Sequence, residues 1–157
     1  MHSHPESSNS DIEAHLSGLR QRVPHLVGSV VASSDGLLIA ADLPESIEPT
    51  GIAALAAAQL SLSLTFVATT HGSSLHEVTI DSGGGHVVVY AAGPTALLAV
   101  LTDPDAVLGR VHLEARPVAR AIADLSTPSA PPAEMMMTGS GFALTSNGSG
   151  PEVPKIH

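Results

Sequence analysis

Nine histidines in a chain without cysteine confine any search for chemistry to imidazole, carboxylate and hydroxyl groups. His71, the adjacent His76 and Glu77, and His86 flank the turns around one strand. An imidazole and carboxylate cluster near one end of a sheet would suit a metal-dependent enzyme or a small-ligand sensor. Their spacing matches no metal motif, and surface histidines beside turns are the commoner explanation. Ser73, Ser74 and Ser82 could serve as nucleophiles, but no G-x-S-x-G elbow exists to present one. Gly83-Gly84-Gly85 leads into a strand, not into the helix N-terminus that a phosphate site uses, and no G-x-x-x-x-G-K-[ST] is present. The sequence therefore assigns no catalytic residue, no cofactor and no metal ligand.

Fifteen acidic against six basic residues give a formal charge of −9, which repels phosphate backbones and anionic lipid and argues against a nucleic-acid partner. Absence of cysteine excludes a disulfide framework and suits a reducing cytoplasm. The start, MHSHPESSNSD, has neither the basic nor the apolar stretch of a signal peptide, so export is not expected. Three segments are expected: a flexible N-terminus over residues 1–9, one domain over 10–126, and a disordered Pro/Gly/Ser-rich tail over 127–157. The tail carries Met135-Met136-Met137, a short apolar triplet. Asn147-Gly148-Ser149 matches a glycosylation pattern that means little without a secretory signal.

Ser10 and Glu13 have capping-box spacing, with Ile12, Leu16 and Leu19 at helical intervals, so a first helix ends before Pro24. Leu26 to Ala32 and Leu37 to Ala41 form a hairpin about the turn Ser34-Asp35-Gly36. Leu75 to Asp81, His86 to Ala92 and Thr95 to Leu101 follow as a meander whose connections are too short for crossover helices. Asp103-Pro104-Asp105 should cap a last helix reaching about Leu125, with Leu108, Val111, Leu113, Val118, Ile122 and Leu125 as apolar positions. Pro117 should free the carbonyl of Leu113 and bend that helix. The class is α+β, in the order α-β-β-α-β-β-β-α. One five-stranded antiparallel sheet carries the central helix on one face and the terminal helices on the other, an α/β/α sandwich.

The stretch GIAALAAAQLSLSLTFVA, residues 51–68, holds no charge, and its nearest ionic neighbours are Glu48 and Glu77. It is long enough for a membrane span, but it carries Gln59, Ser61, Ser63 and Thr65 and lacks basic or aromatic anchors. LSLSLTF alternates like a strand, yet AALAAAQL before it does not. As a helix it presents two apolar stripes. Ile52, Leu55, Gln59, Leu62 and Phe66 form one; Leu60, Leu64 and Val67, preceded by Ala53 and Ala57, form the other, roughly 140° away. A surface helix needs one stripe for its own core. The second is met either by another copy of the chain or by the third helix folding over it, and which stripe faces outward stays open.

The VVASSDGLLIAA hairpin, the alanine-rich central helix, the HVVVYAAG and TALLAVL strands and the ending LGRVHLEARPVARAIADL together resemble the Roadblock family, over about residues 11–126. The Asp35-Gly36 turn and the stretch Leu108-Gly109 to Ala115-Arg116 are the most specific pieces. Pro117 departs from the family pattern. The chain looks closest to bacterial members found beside Ras-like GTPases, those of actinobacterial conservon operons in particular. The resemblance implies a homodimer in which central helices pair and third strands join edge to edge, so Ile52, Leu55, Gln59, Leu62 and Phe66 are expected at the interface with Leu75, Glu77 and Thr79. It also implies a Ras-like small GTPase as partner, with the protein as activator or scaffold and no catalytic residue of its own. A sensor or enzyme using His71, His76 and His86, and a structural subunit of a larger complex, remain the alternatives. Arg20, Arg22, Arg110, Arg116 and Arg120 all fall on the terminal helices, where a basic strip could meet an acidic partner.

Overall fold

Runs such as HVVVY and LLAVL bury both of their faces, one under helices from the two ends of the chain and the other under a helix from its middle. The computed structural model describes residues 5–126. Three helices, α1 (Pro5–Arg22), α2 (Pro49–His71) and α3 (Leu108–Ser126), alternate with five strands: β1 (Leu26–Ser33), β2 (Leu38–Asp42), β3 (Glu77–Ser82), β4 (Gly85–Ala92) and β5 (Ala96–Thr102). The expected tail, Met135-Met136-Met137 included, lies outside the described residues.

All strands are antiparallel in the order β2-β1-β5-β4-β3. The hairpin and the meander are joined by β1 against β5, in the register Val30↔Ala99 and Val31↔Leu98. Since successive side chains point to opposite faces, that register sorts the apolar residues into two cores. Val31, Val88, Tyr90, Leu98 and Val100 lie under α1 and α3, whereas Val30, Ala32, Val89, Leu97 and Ala99 lie under α2. The terminal helices thus share the face opposite α2, as the sandwich expectation requires. They do not cover the second stripe of the central helix, so that alternative is overturned.

The first face is closed by large side chains. Ile12, Leu16, Leu19 and Val23 of and just after α1 are buried, as are Val111, Val118 and Ile122 of α3.

Several boundaries differ from expectation. The first helix starts at Pro5, so Ser10 lies inside it, and its Oγ donates to the carbonyl of Glu6 at 3.0 Å instead of capping. Asp103 does not cap α3. Its Oδ1 accepts from Asp105 N at 2.8 Å within a turn, and the helix begins five residues later, its first turn closing on the carbonyl of Val107. Pro117 sits inside an uninterrupted α3. Both Pro117 and Leu113 are exposed, so water reaches the place where the carbonyl of Leu113 lacks its usual N–H. Leu113, expected in the core, therefore points outward.

The central helix is well terminated. The Glu48 carboxylate accepts from the backbone N–H of Thr50 and Gly51 at 2.9 and 2.7 Å, and Pro49 opens the first turn. Those hydrogen bonds, Gly51's first and Thr50's second, lower the Glu48 pKa. At the other end Gly72 adopts φ +63° and returns its N–H to Ala68.

Candidate functional site: an uncovered helix face and a free sheet edge

Helix α2 is amphipathic in size, not in polarity. Its buried residues are Ala53, Ala56, Ala57 and Leu60, which rest on the sheet. Its large residues point away: Leu55, Leu62 and Phe66 are 69%, 67% and 69% exposed. Small inner residues let the helix lie close to the strands and to the Asp35-Gly36 turn. Gly36 has φ +90°, and a Cβ there would stand 3.5 Å from that of Ala57. The second half of α2, residues 61–71, is exposed or half-buried throughout.

Among the described residues α2 is also the one helix long and apolar enough to cross a bilayer. Its first half is committed to the sheet, however, and its polar groups are bonded locally: Gln59 Nε2 donates to Ser63 Oγ at 3.1 Å, and Thr65, Thr69 and Thr70 each donate to the carbonyl four residues back.

Beside α2, between its first half and strands β3 to β5, runs an apolar groove of about 280 Å³. Ile52, Leu55 and Gln59 form its helix wall; Ile80, Val87 and Leu101 form its sheet wall. The sequence stripe of Ile52, Leu55, Gln59, Leu62 and Phe66 is thus an outer one, walling a groove with its first three members and projecting beyond it with its last two.

Among the described residues strand β3 pairs only with β4, which leaves its other side a free edge. Of the residues expected there, Leu75 precedes the strand and packs, half-buried, against the α2 core. Glu77 and Thr79 pair with Tyr90 and Val88 and so face α3. Val78 and Ile80 face α2, and Ile80 joins the groove. Ile80 and Val87 escaped the sequence reading, though the alternation of Glu77, Thr79 with Val78, Ile80 carried the signal.

Glu77 is held by α3. Arg116 meets its Oε1 with Nε at 2.9 Å and Nη2 at 2.8 Å, and His112 Nδ1 lies 2.9 Å from its Oε2. The same His112 nitrogen is 2.8 Å from the Tyr90 hydroxyl. Burial first, and the Glu77 carboxylate second, push the Tyr90 pKa up, with Arg116 opposing them.

His71, His76 and His86 do not cluster. His86 pairs with Asp81 at 3.1 Å at one end of β4, while the carbonyl of His76 accepts from Ala91 N at the other, roughly 17 Å away by strand rise. His71 bonds Thr70 Oγ1 at the exposed end of α2. The donor set that does gather within 4.8 Å among the described residues is His25, Asp103 and Asp105, which the sequence reading missed. There Asp103 is already engaged by His25 Nδ1 at 3.1 Å and by Asp105 N, in a solvent-exposed turn. Nor is the basic strip free. Arg20 pairs with Asp42, Arg22 and Arg110 with Glu114, and Arg116 with Glu77; of the five arginines only Arg120 forms no ion pair among the described residues.

Comparison with known proteins agrees with this geometry. Residues 13–102 match the family model of the Roadblock/LC7 domain. That match stops at the end of β5, so the 108–116 stretch weighted in the sequence lies outside it. The uncharacterized protein MJ1340 of Methanocaldococcus jannaschii is 30% identical over 95 residues, 60% of this chain and 82% of that one. The crystal structure of a Roadblock/LC7 domain from Streptomyces avermitilis superposes with a TM-score of 0.66 at 27% identity, covering 69% of this chain and 92% of that one. The gliding protein MglB of Thermus thermophilus shares the fold at 18% identity and a TM-score of 0.68, covering 80% and 93%. With more than half of its length matched and the same arrangement of helices on the sheet, this chain belongs to the Roadblock/LC7 domain family.

Proposed function

We propose that the protein is a homodimeric, non-enzymatic regulator or scaffold that binds a Ras-like small GTPase in a bacterial signalling system of the cytoplasm. The observation that carries the dimer is the inverted packing of α2, with alanines inside and Leu55, Leu62 and Phe66 outside on a face free of ionic groups. Five large side chains, with Leu64 and Ile80 included, offer on the order of 100 Å² of apolar surface each. Together that is roughly 500 Å², over half of the ~800 Å² per partner of a standard interface, before the backbone edge of β3 is counted. An acidic chain also meets its own copy most easily where no carboxylate is present.

The GTPase reading rests on the family resemblance, in which such dimers act on small GTPases, and on the likeness of this fold to a gliding protein, MglB. Among the described residues, the scattered histidines and the four ion-paired arginines offer no competing centre for catalysis. Light scattering at micromolar concentration should give twice the chain mass in the absence of lipid. The protein mixed with the Ras-like GTPase encoded beside it should co-elute or change its GTP hydrolysis. A monomer overturns the dimer; neither co-elution nor a rate change overturns the GTPase assignment.

A further inference from the structure

The arginines of the terminal helices form no continuous strip, but two of them meet at one hollow. On the α3 side of the sheet, beside the start of β3, lies a cavity of about 360 Å³ lined by His76, Glu77, Tyr90, Arg116, Ala119 and Arg120. Its size falls at the lower end of the ~300–1,000 Å³ range of small-molecule clefts. Unlike the groove beside α2, it is walled largely by polar and charged side chains. Arg116 and Arg120 stand one turn apart on α3, about 6 Å along the axis, where like charges repel. An anion between them relieves that repulsion.

We infer that this cavity binds the phosphate group of a small molecule, held by Arg116 and Arg120 with His76 as a third donor. Arg116 is already oriented for the task. Its Nε and Nη2 both go to Glu77 Oε1, at 2.9 and 2.8 Å, which leaves three of its five N–H groups to donate elsewhere. The Glu77 carboxylate is itself engaged, since Oε1 takes Arg116 while Oε2 is buried 2.9 Å from His112 Nδ1. Arg120 then brings a positive charge that no ion pair neutralises among the described residues. Glu77 is thus a positioning residue, and the two guanidinium groups are the binding ones.

The net charge of −9 excludes a polyanion but not this ligand. At physiological ionic strength the screening length is about 8 Å, so the charges lining the cavity decide, not distant carboxylates. Within it two guanidinium groups face one carboxylate. Of the nearby acids on α3, Glu114 is taken by Arg22 and Arg110, and Asp124 lines a separate hollow beside α1. Guanidinium suits phosphate because its planar fork matches two oxygens at once. A phosphate monoester brings three acceptor oxygens and close to two charges, enough for both arginines, whereas an apolar ligand would bury Arg120 without a partner.

Calorimetric titration of the full chain with inorganic phosphate, at constant ionic strength in chloride, should show one saturable site per chain with millimolar or tighter affinity. Glycerol 3-phosphate should compete for it. Arg120→Ala should weaken binding on the order of tenfold or more with an unchanged circular dichroism spectrum, because Arg120 is exposed and forms no ion pair among the described residues. Arg120→Lys should recover part of the loss, since it restores the charge without the fork. Arg110→Ala, outside the cavity, should change the affinity by less than about twofold. Absence of saturation by both probes overturns the site. So does an Arg120→Ala chain that binds like the wild type, or an Arg110→Ala chain that loses as much as Arg120→Ala, which would mark general charge attraction. None of these results bears on the dimer or on the GTPase reading.

Discussion

The two faces of this sheet are packed by opposite rules. Under α1 and α3 the inward residues are large, with Leu16, Leu19, Val111 and Ile122 fully buried, and the polar ones face water. Under α2 the inward residues are three alanines and Leu60, while Leu55, Leu62 and Phe66 face out. The closed face is a finished core, and the α2 face is half of one. A helix that hides its small residues and shows its large ones has been shaped for two contacts, a close one with its own sheet and a bulky one with something else.

That contrast can be broken by mutation. The largest effect is expected on the closed face, where Leu16→Ala removes a fully buried side chain and should cost about 2–5 kcal/mol in urea unfolding. A cost below about 1 kcal/mol would mean the terminal helices are not the core described. Ala57→Leu tests the opposite rule. It forces a large residue between α2 and the Gly36 turn, and about 1–3 kcal/mol of overpacking strain is expected in the same assay. Stabilisation instead would mean that α2 does not lie closely on the sheet.

Tyr90→Phe examines the polar rim of the closed face. Losing the bond to His112 should cost about 1 kcal/mol at neutral pH. The folded state raises the Tyr90 pKa above 10, so the wild type's stabilisation is complete below that pH and is lost as pH rises beyond it. The wild type's advantage over the variant should therefore shrink as the pH is raised above 10. On the open face, Leu62→Ala should leave the unfolding free energy of the isolated chain within about 0.5 kcal/mol and act on self-association alone, read as a lost dependence of the midpoint on protein concentration. The smallest effect belongs to Glu48→Gln at the start of α2. The folded state lowers that carboxyl's pKa from 4.5, so its contribution exists above that pH and fades as pH falls through the folded value. Wild type and variant should differ slightly at pH 6 and coincide in acid.

Much of the architecture could be read along the chain because it is local. The turn at Asp35-Gly36, the short connections of the meander, and the apolar spacing of Ile12, Leu16 and Leu19 each report on neighbours a few residues away. The misjudged points were those where a side chain had a choice of partner. Ser10 and Asp103 have capping chemistry, but one was taken into a longer helix and the other into a turn with His25. Leu113 keeps helical spacing yet faces water, since the pattern does not say which arc of α3 meets the sheet.

For the candidate site, sequence alone determined that residues 51–68 carry two apolar stripes and no charge, because helical periodicity is fixed by backbone geometry. Only the tertiary structure decided that the alanine side faces inward and that Phe66 stands clear. That depends on β1 lying beside β5 and on the Gly36 turn, which stands close against Ala54 and Ala57. The groove and its Ile80 wall are likewise a consequence of strand register, which exists only once distant segments have met.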